Sequence, residues 1–200
     1  MLPLSELAND FADALYAVDA GRPQGRSRTR VYQHGVGPLS ESEATESALK
    51  YLRQGSRSTT YAMAAECPYP NSRQICDVVI PGEWAIEVKL ARPYGDNGRE
   101  AEHWSENLLH PYPGTTSAIG DCIKLVESSF KERRAVLVFG YEHTPPRLPL
   151  EPAVMAFEVI ASGVASLHLS HRAAAFRTGL IHPVHQQLAV FGWEVLGRKA

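Results

Sequence analysis

The sequence predicts a mixed α/β domain, a central β-sheet flanked by helices. Three observations carry this. A helix opens at Ser40 with a capping box, a β-hairpin spans 74–90, and a short apolar run at 135–139 follows a second amphipathic segment. Two hundred residues suffice for one core and a small extra arm, so 1–200 is read as one domain, with 1–37 as an N-terminal helix and basic arm. Hydrophobic residues make up 44% and charged residues 21%, which excludes a disordered or fibrous chain. No run of about 18 apolar residues occurs, so no membrane span is expected. The first twenty residues lack the basic and apolar regions of a secretory signal. Three cysteines without a CxxC pair suit a reducing cytoplasm better than a disulfide framework. The net charge of −2 offers no bulk attraction to a polyanion, so any nucleic-acid binding must come from a local site.

The elements follow in order. Leu4, Leu7, Phe11, Leu15 and Val18 recur at helical spacing and predict a helix over 4–19, ended by Gly21. Residues 21–30 carry Arg22, Arg26, Arg28 and Arg30 with almost nothing apolar. They read as an exposed basic arm, either a solvated linker or a segment that orders on a phosphate backbone. Ser40 and Glu43 form the S-x-x-E box, and Ala44, Ala48, Leu49 and Leu52 face inward as far as Gly55. A strand is expected within 59–67, then a turn at Pro68, Pro70 and Asn71. Val78, Ile80, Trp84, Ile86, Val88 and Leu90 share one parity across Pro81-Gly82-Glu83, the pattern of a hairpin with one apolar face. Six prolines and glycines in 93–115 predict a long, irregular and mobile insertion. Ile119, Cys122, Ile123, Val126 and Phe130 place a helix over 117–131. Residues 135–139 read as a buried central strand, 153–164 as a helix, and Leu188, Val190, Trp193 and Val195 as a final strand.

The other face of the hairpin carries Asp77, Glu87 and Lys89. With the turn centred on Gly82, positions summing to 164 oppose one another, which sets Asp77 against Glu87. Opposed residues hold their Cβ atoms about 4.5–5.5 Å apart, and like charges there destabilise a sheet. A divalent cation between the two carboxylates resolves that conflict. Lys89, two residues from Glu87, projects beside the same place. Oxygen ligands suit Mg²⁺, with Mn²⁺ able to substitute, and Asp77, Glu87 and the carbonyl of Val88 supply them. Lys89 is expected to orient or help deprotonate a water, or to offset charge on a phosphorane-like state. Such a site hydrolyses phosphodiesters. Removing any one of these charges is expected to leave the fold unharmed, because each change relieves a crowded site.

Asp77, nine residues, then Glu87-Val88-Lys89 resembles the D-x(n)-(D/E)-x-K signature of the PD-(D/E)XK, or restriction-endonuclease-like, nucleases. The resemblance covers roughly 38–142. Cys76 stands where the family often has proline. The resemblance implies an αβββαβ core and a Mg²⁺-dependent DNA endonuclease, of restriction type and acting as a homodimer. It also implies a glutamate from the helix before the hairpin as a further catalytic and metal-site group. Glu46 best matches that pattern, with Glu41 the competitor because it lies nearer the apolar stripe. The alternatives are a nuclease acting on RNA or branched DNA, and a non-catalytic nucleic-acid-binding or interaction module.

Weaker signals remain. His168-x-x-His171 and His182-x-x-His185 have metal-ligand spacing but no third ligand, so ordinary surface or hydrogen-bonded histidines are expected. Gly35-Val36-Gly37 lacks the context of a dinucleotide loop, and Ser117 sits in no nucleophile elbow. Residues 104–116 are rich in aromatic and polar side chains, suited to reading DNA or to ordinary packing. Asp121, Lys124, Ser128 and Lys131 fall opposite the apolar stripe of 117–131 and are expected on a solvated face. Lys124 or Lys131, and Arg133 and Arg134, are candidates for phosphate contact.

Overall fold

The computed structural model describes residues 1–26, 31–70, 72–112, 114 and 116–199. Helix α1 (Leu4–Ala20) buries Leu7, Phe11 and Leu15 at the predicted spacing. Its last-turn Asp19 is buried too, and accepts from Val36 N at 2.9 Å and Ile181 N at 2.7 Å, tying two distant loops to the helix end. The next stretch departs from the expected unstructured arm: β1 (Gln24–Arg26) pairs antiparallel with β2 (Val31–His34) in a separate small sheet. Arg22 is exposed with a positive φ of 53°, and the arm positions Arg28 and Arg30 lie outside the described residues.

Helix α2 (Glu41–Leu52) has the predicted cap: Ser40 Oγ accepts from Glu43 N at 3.2 Å, and Ser40 N donates to the Glu43 carboxylate at 2.8 Å. The strand expected over 59–67 is in part a helical turn, α3 (Ser58–Tyr61), and only β3 (Ala65–Pro68) is extended. Tyr61 explains the difference. Its ring is buried and its hydroxyl reaches Asp10 of α1 at 2.8 Å, which helical backbone delivers and a strand would not. Strands β4 (Ile75–Ile80) and β5 (Trp84–Ala91) form the hairpin in the predicted register, Val78↔Ile86, Val79↔Ala85 and Ile80↔Trp84. Gly82 takes φ +76° in the turn, where a side chain would be strained.

The insertion is not irregular throughout. It contains α4 (Glu106–Leu109) and a bridge between Tyr94 and Glu100. Helix α5 (Ala118–Glu127) starts where Ser117 Oγ accepts from Gly120 N at 3.1 Å, which gives Ser117 a capping role. Strand β6 (Arg133–Glu142) runs parallel to β5 and is buried through its centre, as its apolar run predicts. Then come α6 (Glu151–Gly163), β7 (Leu167–Leu169), β8 (Ala173–Thr178) and β9 (Gln187–Arg198). The main sheet is mixed, in the order β3-β4-β5-β6-β9-β7, with β8 also on β9. Strands β7 and β8 are absent from the sequence prediction.

Both faces of the sheet are covered. On one, Phe11 and Leu15 of α1 and Leu49 of α2 pack with Ile80, Ile86, Leu137 and Phe139. On the other, Ile119 and Leu125 of α5 and Phe157 of α6 pack with Val79, Ala85, Val136 and Trp193. Helix α1 is thus part of the core rather than an appendage. Among the described residues no helix is long and apolar enough to cross a membrane.

Candidate active site

The site forms where β4 and β5 stop pairing. Against β3, strand β4 carries one extra residue: Ala65 pairs with Val79, but Cys67 pairs with Cys76. This bulge turns Cys76 into the core beneath α5, although Val78 faces α1 and α2. The hairpin ladder ends at Val78↔Ile86 and does not reach Asp77 and Glu87. Instead, Asp77 Oδ2 accepts from Val88 N at 2.7 Å. The expected face-to-face pair of Asp77 and Glu87 is therefore corrected. Asp77 caps the backbone of β5 and lines a groove with Glu41, Thr45 and Glu46 of α2, whereas Glu87 points to the α5 side.

Glu87 is 2% exposed. The Tyr69 hydroxyl donates to its Oε1, and Lys124 Nζ stands 3.4 Å from the same oxygen. Burial, followed by the charges of Asp121 and Asp77, pushes its carboxyl up to about 8. Lys89 Nζ lies 2.9 Å from Asp121, 3.0 Å from Glu41 and 3.0 Å from the Val88 carbonyl oxygen. Burial disfavours its charge, but Asp121 and Glu41 outweigh burial and raise its pKa. In the metal-free chain this favours the charged form, which suits the fixed positive charge expected of Lys89.

Asp121 is 0% exposed, which overturns the solvated face expected for it. It pairs with Lys89 and, at 2.5 Å, with Lys124. The reason lies in α5, which is buried almost all round: Ala118, Ile119, Gly120, Cys122, Ile123 and Leu125 flank Asp121. Lys124, a candidate phosphate contact, spends its charge on Asp121 and Glu87. Arg133 is held by Glu194 at 2.5 Å and lies over the Trp84 ring, and Arg134 donates to the last carbonyls of α5. None of these three reaches outward as expected.

The glutamate of α2 that joins the site is Glu41, not Glu46. Glu41 meets Lys89 and also accepts from Leu90 N at 3.0 Å, and burial pushes its carboxyl up. Glu46 is exposed at the groove, five residues on and turned away from the inward stripe. The histidines match the plain expectation. His182 and His185 stack at 4.5 Å, with His182 Nε2 on Asp96 at 3.0 Å and His185 Nε2 on the Tyr94 carbonyl at 2.9 Å.

No family model, curated protein or solved structure matches this chain. Asp121 and Tyr69 escape the sequence reading, though the near-continuous apolar character of 118–125 carries the signal for Asp121. Tyr69 has none, since it acts through a turn. Four carboxylates, Glu41, Asp77, Glu87 and Asp121, gather around two lysines, Lys89 and Lys124; Glu87 and Asp121 are buried, and Glu41 and Asp77 are half-buried at the groove. Among the described residues no three His, Cys, Asp or Glu side chains converge on one metal position. Lysine nitrogens bridge the carboxylates instead.

Proposed function

We propose that the protein is a Mg²⁺-dependent DNA endonuclease of the PD-(D/E)XK type, restriction-like and homodimeric, with Mn²⁺ able to replace Mg²⁺. The observation that carries this is the convergence of Glu41, Glu87 and Asp121 on Lys89 and Lys124 where the hairpin opens beside Asp77. The order α2, β3-β4-β5, α5, β6, with β6 parallel to β5, supports an αβββαβ core. The hard oxygens of Asp77, Glu87 and the Val88 carbonyl are the groups that would hold a divalent cation, although in this structure Asp77 faces the α2 groove and Glu87 the α5 side. When bound, that cation supplies the charge that polarises a phosphoryl oxygen and makes an attacking water more acidic.

The chain's own residues do the rest. Lys89, kept protonated by Asp121 and Glu41, donates to the oxygen on which negative charge grows. Asp121 and Glu41 position that ammonium and do not touch substrate. Asp77, anchored on Val88 N, holds the opened end of the hairpin in shape. Tyr69 orients Glu87.

The test is incubation with supercoiled plasmid and Mg²⁺ or Mn²⁺, against a chelator control, with RNA and branched DNA in parallel. Metal-dependent nicking of plasmid, lost in Glu87→Ala and Lys89→Ala, is expected. Cleavage of RNA or branched DNA alone moves the substrate class. Tight binding without cleavage of any polymer makes the protein a binding module and overturns the enzyme reading.

A finer expectation separates the two glutamates. Glu41→Gln lowers turnover by about 10–100-fold, the usual cost of removing a group that orients a metal-site residue. Glu46→Gln stays within about twofold, since the solvent-exposed Glu46 is not among the groups that hold Lys89. Initial rates on plasmid decide this, and a larger loss in Glu46→Gln reverses the assignment.

A further inference from the structure

Arg92 stands three residues beyond Lys89, just past the end of β5. It lines a cavity of about 690 Å³ that begins at Leu90, whose N–H is held by Glu41. The cavity therefore adjoins the candidate active site along β5. Arg92 Nη1 donates to the Gly37 carbonyl at 2.7 Å and the Leu39 carbonyl at 3.1 Å. Among the described residues no carboxylate lies within ion-pair distance of this guanidinium, and burial lowers its pKa. Its neighbours are treated otherwise: Lys89, Lys124 and Arg133 each have a carboxylate. A half-buried guanidinium with only carbonyl partners keeps donors to spare, and its planar fork matches two oxygens of a phosphate.

The rest of the lining suits the remainder of a nucleotide. Trp104 and Tyr94 offer aromatic surface, and Asn107 offers an amide that both donates and accepts. Four carboxylates also line the cavity, but none reaches Arg92. Asp96 is engaged by His182 and Gln33, Glu106 by His103, and Glu100 and Glu102 are exposed and water-screened. That lining repels a run of phosphates and admits one, at the buried end.

We propose that this cavity is a nucleotide subsite, in which Arg92 takes one phosphate flanking the bond to be cut and Trp104 stacks on the base attached to it. The proposal rests on the nuclease reading and adds how the strand is held.

The test is metal-free binding of a fluorescein-labelled DNA duplex, followed by anisotropy over a series of salt concentrations, with single-stranded DNA and RNA in parallel. Each phosphate contact contributes about −0.9 to the slope of log K against log salt on duplex DNA. Arg92→Met is expected to bind at least tenfold more weakly, with a slope shallower by about 0.9. Because Arg92 also holds the carbonyls of Gly37 and Leu39, a second measurement uses the wild-type chain. Trp84 and Trp193 are buried, so quenching of tryptophan emission at saturating nucleic acid, absent in Trp104→Phe, reports the cavity. A folded Arg92→Met with unchanged affinity and slope overturns the subsite. So does wild-type emission that is unmoved at saturation. Either result, beside metal-dependent cleavage by the same preparation, leaves the nuclease reading standing. Binding of none of the three polymers overturns the subsite, and with no metal-dependent cleavage of any of them it overturns the nuclease reading as well.

Discussion

Lys89→Met is expected to lower the stability of the protein by about 2–4 kcal/mol and to abolish cleavage. Lys89 is only 8% exposed and neutralises Asp121, which is wholly buried, together with Glu41. Stripping one partner from a buried pair costs about 3–5 kcal/mol, because the surviving charge is left in low dielectric. Lys124 still reaches Asp121, which sets the expectation toward the lower part of that range. The sequence reading expects the opposite, an unharmed fold, because each change there relieves a crowded cluster of charge. Urea unfolding checks this: the midpoint falls while the slope with denaturant is unchanged. The double variant Lys89→Met/Asp121→Asn regains most of the loss, since it removes the stranded charge along with its partner. It does not regain cleavage. That split separates holding the fold from assisting the reaction. A Lys89→Met midpoint equal to wild type rejects the buried network.

The hairpin was legible because two independent rules agree on it. Alternation fixes which residues face the core, and Pro81-Gly82-Glu83 fixes the turn, so the register from Ile80↔Trp84 to Val78↔Ile86 follows. Helix α2 was legible for a similar reason, since its cap and its apolar stripe point to the same start. What alternation does not encode is the bulge of β4 against β3. No glycine marks it, and it depends on a neighbouring strand whose own extent, Ala65–Pro68, the sequence left uncertain. That bulge turns an expected pair of facing carboxylates into Asp77 on one side and Glu87 on the other. Asp121 was misplaced by applying an amphipathic template to a helix covered all round. Strands β7 and β8 escaped because Leu-His-Leu is only three residues long and the alanine-rich Ala173–Thr178 run alternates too little to be told from loop. In each case tertiary packing outweighed the local pattern.

Glu87→Gln is expected to stabilise the metal-free protein at alkaline pH and to leave its stability almost unchanged in acid. The Glu87 carboxyl is pushed up to about 8 by burial, then by the charges of Asp121 and Asp77. An unfolded glutamate titrates near 4.3. Below that value both states carry the proton and no pH dependence arises. Between it and about 8 the native state holds a proton that the unfolded chain has released, so stability falls as pH rises through this window. Above it the native state bears the full burden of an ionised buried carboxylate, about 2–4 kcal/mol once relaxation is allowed for. Glutamine keeps an oxygen to accept from the Tyr69 hydroxyl and cannot ionise, so it removes that slope. Lys89 stays protonated across the window because its own pKa is raised. Other carboxyls pushed up by burial, such as Glu41 and Glu142, give slopes of the same sign in both proteins and cancel in the difference. Urea midpoints at pH 4 and pH 9 supply the four numbers needed. The variant should match wild type at the lower pH and exceed it at the higher, and adding Mg²⁺ or Mn²⁺ at pH 9 should raise the wild type toward the variant, because a cation that binds only the native state stabilises it by mass action. A wild-type curve that is flat over this range, or a variant that follows it in parallel, would show that Glu87 is already neutralised by Lys124 and would remove the excess charge on which the cation site depends.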